Sequence, residues 1–113
     1  MANHIKIRPA RGTWVVRAAG AVLGESTAAL ELTEGDYPPV IYFPRADIAM
    51  AFLDESEKRS HCPYKGDASY FHIIAKSGEL SDAAWSYEEP KSEVAEIKDH
   101  LAFYASKVAV EQV

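Results

Sequence analysis

A chain of 113 residues with a formal net charge of −5 has the usual size of one compact domain and leaves no room for a second. Its 12 Lys and Arg residues are scattered, so the basic footprint of a general nucleic-acid binder is missing, and no nucleic-acid partner is expected. With 48% apolar residues the chain should fold alone, yet no stretch approaches the roughly 18 residues of a membrane span and no basic-then-apolar leader opens it, which points to a soluble cytoplasmic protein without a membrane partner.

In chain order, apolar residues alternate with period two over short runs, as half-buried antiparallel strands require. Ile5 and Ile7 alternate with Lys6 and Arg8, and Trp14 and Val16 with Val15 and Arg17; Val22 and Leu23 follow Gly20. Ala28, Leu30 and Leu32 come next, then 40–43 and 70–75, with turn chemistry at Arg11-Gly12, Glu34-Gly35-Asp36 and Ser77-Gly78. Two segments depart from the alternation. Arg45 to Leu53 carries Ile48, Met50 and Phe52 after Pro44 and predicts one or two helical turns; Pro90 to His100 places Val94, Ile97 and Leu101 at helical spacing behind an early proline. Residues 101–104 and 107–111 form either a closing strand or a longer terminal helix. The sum is a mostly β fold, a small antiparallel sandwich or half-barrel with one or two short helices.

The most reactive cluster is His61-Cys62-Pro63-Tyr64-Lys65-Gly66, which holds the chain's one cysteine three positions from a lysine. A thiol beside a cation and an imidazole can ionise at neutral pH. Pro63 fixes the backbone direction and Gly66 permits positive φ, so the bend can aim Cys62 and Lys65 at one point. The competing structural reading is a plain turn between strands, with Cys62 a small buried apolar residue and Lys65 solvated. A single cysteine rules out an internal disulfide and the cysteine pairs of structural zinc, and the four histidines lack HExxH-type spacing, so no metal or cofactor is expected.

Aromatic residues form a second constellation: Tyr42, Tyr64, Tyr70, Trp85, Tyr87 and Tyr104. On strands, Trp85 with Tyr87, and Tyr70 with His72, would each share a face, lining a concave pocket beside the bend. Core filling is the alternative, and the favoured one for Phe103 and Tyr104. Arg45 can reach such a pocket and hold an anionic group. Asp47 is expected to place negative charge near a helix start, His72 to be a satisfied sheet residue, and Glu88, Glu89, Glu93 and Glu96 to form a solvated acidic face.

The segments HCPYKGDASYFHI at 61–73, DAAWSYEEPKSEVAEIKDHLAFY at 82–104 and VIYFPRADI at 40–48 together resemble the family called domain of unknown function 427, over most of the chain. The resemblance implies a β-tent, or Mss4-like, architecture with a pocket between two sheets. The family also carries a nucleotidyltransferase-like label, but the sequence has neither a Gly-rich phosphate loop nor an evident pair of metal-binding carboxylates. Two functions fit. One is binding of a small, anionic or nucleotide-like molecule by Tyr42, Arg45, Cys62, Tyr64, Lys65, Gly66, Tyr70, Trp85 and Tyr87. The other is an enzyme in which Cys62 is the nucleophile or redox-sensitive thiol, with Lys65 as its partner and Tyr70 or His72 moving protons. The expected assembly is a monomer or a homodimer.

Overall fold

The structure, a computed structural model, describes residues 4–113. Among the described residues ten strands run in the order β1 (Ile5–Pro9), β2 (Trp14–Ala18), β3 (Ala21–Ser26), β4 (Leu30–Glu34), β5 (Val40–Pro44), β6 (Leu53–Cys62), β7 (Gly66–Ala75), β8 (Gly78–Ser86), β9 (His100–Phe103) and β10 (Ala109–Gln112). They form a seven-stranded sheet, β1-β4-β5-β9-β8-β7-β6, and a three-stranded sheet, β10-β2-β3, with every pairing antiparallel. The fold is therefore mostly β and antiparallel, and neither sheet closes into a barrel.

Strand alternation sorts the large sheet's side chains into two cores. One face carries Phe43, Phe71, Ile73, Ala84, Leu101 and Phe103 against Val16, Ala18 and Leu23 of the small sheet. The opposite face carries Tyr42, Ala68, Tyr70 and Ala102, and the sheet curls over them so that Leu32 joins the same cluster. Neighbours in sequence thus point into different cores: Tyr42 and Phe43 on β5, Tyr70 and Phe71 on β7. The second core is the more polar one because its rings carry hydroxyls, and it is there that a cavity remains.

Both expected helices are shorter and tighter than the spacing suggests. Arg45 to Leu53 forms two single 3-10 turns, Arg45–Asp47 and Met50–Phe52, because Ile48 between them leaves the helical path to bridge Gly24 of β3. The Ala49 amide donates to the Leu23 carbonyl at 2.8 Å beside that bridge. Asp47 stands in the first turn of Arg45–Asp47, as expected, and its Oδ2 also accepts a 2.6 Å bond from the Ser26 hydroxyl that ties this segment to β3. The second helix shrinks to a 3-10 segment, Ser92–Ile97, broken at Val94 with φ −127° and ψ 31°. Val94 and Ile97 cap the second core, while Leu101 belongs to β9 and to the first. Residues 101–104 and 107–111 contribute β9 and β10, not a terminal helix.

One ten-residue strand, β6, had no signal in the apolar pattern. Its sequence LDESEKRSHC is charged and mostly exposed, as suits the edge of a sheet, and its register with β7 shifts between Glu55 and Arg59. Charges and a bulge on an edge strand discourage pairing with another chain, so the residues that protect the edge also hide it from a search for alternation.

Gly24 is where the small sheet is clamped against the segment that joins β5 to β6. A Cβ there would lie 2.6 Å from the Asp47 carbonyl oxygen and 2.6 Å from Ile48 Cδ1, and the backbone atom cannot yield. Gly24→Ala should cost about 1–3 kcal/mol in urea unfolding, as overpacking of a dense contact does. An unchanged midpoint would show that the clamp is loose.

Candidate functional site

The bend at 61–66 is the tip of the β6–β7 hairpin. Cys62 and Gly66 face each other in register and Pro63, Tyr64 and Lys65 make the connection. Gly66 has φ +110°, which a side chain would strain. Lys65 is only 9% exposed, uncommon for lysine. Its Nζ donates to Glu34 Oε1 at 2.6 Å and lies 6.0 Å from the centre of the Tyr87 ring, while its carbonyl accepts from the Lys91 amide at 3.0 Å. The other carboxylate oxygen of Glu34 is 3.5 Å from His4 Nε2, and His4 meets the Tyr64 ring edge-on at 4.5 Å.

Beside this pair lies a cavity of about 220 Å³. Tyr42 from β5, Tyr70 from β7 and Trp85 from β8 line it together with Tyr87, which follows β8, and Tyr104, which follows β9; Lys65 and Glu34 form its charged end. Trp85 Nε1 donates to the Tyr42 hydroxyl at 3.3 Å, and the indole packs on Tyr104 with ring centres 4.6 Å apart. The Tyr70 hydroxyl shares a 2.8 Å bond with Ser60 Oγ. Tyr87 is 6% exposed, and its hydroxyl has no hydrogen-bond partner among the described residues.

A larger and more apolar groove of about 860 Å³ adjoins the cavity and shares Glu34, Tyr37, Pro38, Val40 and Trp85 with it. It opens because β5 and β9 pair only at Phe43–Leu101 and Pro44–His100 and then separate, leaving Ile41 and Phe103 on opposite banks.

Burial sets the electrostatics of the phenols. Removal from water holds the Tyr42 and Tyr87 hydroxyls far above the ordinary tyrosine value, and Tyr104 is pushed up to about 12 by burial and then by the Tyr70 hydroxyl beside it. The cavity wall therefore offers neutral O–H groups at any physiological pH, next to an ion pair whose charges cancel.

Of the residues singled out in the sequence, Tyr42, Lys65, Tyr70, Trp85 and Tyr87 line this one cavity. Cys62 packs against the same aromatic cluster but is not part of the cavity lining, and Tyr64 is exposed at the hairpin tip. Arg45 lies elsewhere: Nη1 pairs with Glu88 Oε2 at 3.1 Å and the guanidinium covers the Phe71 ring, a residue of the first core. Glu88 is accordingly more than a solvated acid, since Ser69 Oγ also donates to it at 3.2 Å. His61 pairs with Asp67 at 2.7 Å on the surface, and His72 Nδ1 accepts from the Asp82 amide at 3.0 Å, as a satisfied sheet residue does. Sequence reasoning missed Glu34, which stands 31 residues before its partner in what reads as a turn, and assigned Tyr104 to the core. Phe103 is a core residue; Tyr104, one position on, lines the cavity.

A family model described as a domain of unknown function (DUF427) matches residues 6–113. No curated protein matches the chain. Among the described residues, no group of three or more His, Cys, Asp and Glu side chains is placed to hold a metal ion, and no helix is long and apolar enough to cross a membrane.

A raised folded-state value favours the protonated phenol, so its contribution to stability is complete below about pH 10 and is lost as pH climbs through the folded values. Tyrosinate absorbance from Tyr42 and Tyr87 should therefore appear only with alkaline unfolding, and Tyr42→Phe/Tyr87→Phe should flatten the loss of stability above about pH 10. Complete, reversible ionisation of all six tyrosines near pH 10 in a folded protein would contradict this burial.

Proposed function

Because the chain belongs to the domain of unknown function 427 family, a description that assigns no activity, we propose from its geometry that it is a binding domain for a small molecule held in the tyrosine- and tryptophan-lined cavity beside the CPYKG turn. The observation that carries this reading is convergence. Aromatic residues from β5, β7 and β8 and from the ends of β8 and β9 surround one hollow, whose charged end is a lysine that the hairpin tip has turned away from water. Apolar walls with a few oriented polar groups are what small-molecule sites have in common. The reading takes the two-sheet architecture as a β-tent of the Mss4-like kind, and the protein as a cytoplasmic monomer or homodimer that engages neither nucleic acid nor membrane.

An enzyme built on Cys62 has less support. The thiol is absent from the cavity lining, and the ammonium that would activate it is engaged by Glu34 at 2.6 Å. Cys62, Tyr64 and Gly66 enter the binding reading as the rigid hairpin that delivers Lys65, and Arg45 as a brace on Glu88.

A library of single-ring aromatic fragments, followed by saturation-transfer NMR, tests this reading. Fragments should compete for one site, lose at least about tenfold in affinity with Trp85→Leu, as loss of a stacking face predicts, and bind Cys62→Ser as they bind the unaltered protein. Binding that survives Trp85→Leu and vanishes with Cys62→Ser would replace the cavity with the thiol as the functional centre.

A further inference from the structure

Resting on the binding reading above, we propose that the cavity selects an uncharged single ring whose edge carries both a hydrogen-bond donor and an acceptor, such as a heterocyclic amide, over anionic and cationic analogues of the same ring. Three observations converge on this class.

The first is charge. Lys65 and Glu34 are the charged groups of the lining, 2.6 Å apart, and their side chains are 11% and 23% exposed. An incoming anion meets an ammonium already neutralised and a carboxylate that repels it; an incoming cation meets the reverse. His4 faces Glu34 from outside, at 3.5 Å. The nearby guanidiniums are committed elsewhere, Arg45 to Glu88 and Arg59 to Glu55, and Lys58 Nζ sits over the Tyr70 ring at 4.5 Å.

The second is unsatisfied hydrogen-bonding capacity. The Tyr87 hydroxyl borders the cavity, makes no hydrogen bond to another described residue and, unlike the buried Ser86 Oγ, keeps contact with solvent, so a ligand can exchange with water there. Tyr42 accepts from Trp85 Nε1, which leaves its own O–H to donate. Lys65 spends one of three N–H groups on Glu34. Donors and acceptors therefore face the same hollow, and a ring bearing both satisfies them without bringing charge.

The third is size. At about 220 Å³ the cavity itself takes one ring between its aromatic walls, and anything the ring carries would extend past Glu34 and Trp85 into the adjoining groove.

Nicotinamide, nicotinate and the N-methylated nicotinamide cation share a ring and differ in charge, and they provide the test. Their affinities are measured by NMR titration at pH 8. Nicotinamide should bind at least about tenfold more tightly than either ion. Glu34→Gln, which frees the ammonium, should shift the ranking towards nicotinate, and Lys65→Met should shift it towards the cation; thermal melting establishes that each variant is folded. If a variant does not fold, the ranking in the unaltered protein decides. Equal affinities, or nicotinate the tightest, would overturn the charge inference while leaving the cavity a binding site. Failure of all three where other single-ring fragments occupy the cavity would overturn the donor-acceptor pairing, and failure of every ring would overturn the binding reading as well.

Discussion

A lysine buried against a glutamate holds this architecture in its particular shape. Taking an ammonium out of water costs several kcal/mol unless a counter-charge and hydrogen bonds replace the lost hydration. Lys65 meets that requirement only if the tip of the β6–β7 hairpin reaches the end of β4, although β5, β9 and β8 lie between β4 and β7 in the sheet. The sheet must curl strongly for the two to touch. The contact between His4, just before β1, and Tyr64 on the hairpin repeats the same closure one strand further out.

Curling brings the aromatic residues together and also leaves them room. Tyr42 on β5 and Trp85 on β8 are separated by β9, and the residue paired with Trp85 on β9 is Ala102, small and fully buried. The two larger side chains therefore meet at 3.3 Å above an alanine. A bulky residue there would occupy the space that the rings share. On the other face the same strands carry Phe43, Leu101 and Phe103, which pack densely against the small sheet. One face is thus built for stability and the other keeps a polar-rimmed hollow, and strand alternation alone separates the two.

How much of this was legible follows from what each signal depends on. Short apolar runs marked β1, β2, β3, β4, β5 and β7, because one face of each is less exposed than the other, and the same signal failed on β6, whose edge position removes the apolar residues that it needs. Helical spacing at Val94 and Ile97 was real, but three-residue spacing also suits a 3-10 turn, and Asp99 with φ +55° leads the chain out towards β9. Within the site, the CPYKG turn and the set Tyr42, Tyr70, Trp85 and Tyr87 could be read because local chemistry announces them. Glu34 could not: its role arises from tertiary closure, and nothing in Glu34-Gly35-Asp36 separates a buried counter-ion from a surface turn. The same blindness put Arg45 in the pocket, since Glu88 competes for it from 43 residues away.

The account stands on the interaction between Lys65 and Glu34. A double-mutant cycle in urea unfolding, with Lys65→Met, Glu34→Gln and the pair together, measures it without reference to any ligand. A coupling energy of about 1–3 kcal/mol is predicted, with the double variant more stable than the sum of the single losses, because each change alone strands a poorly solvated charge. Additive losses, with coupling within about 0.3 kcal/mol of zero, would mean that the two side chains are independently solvated and that the closure does not depend on them.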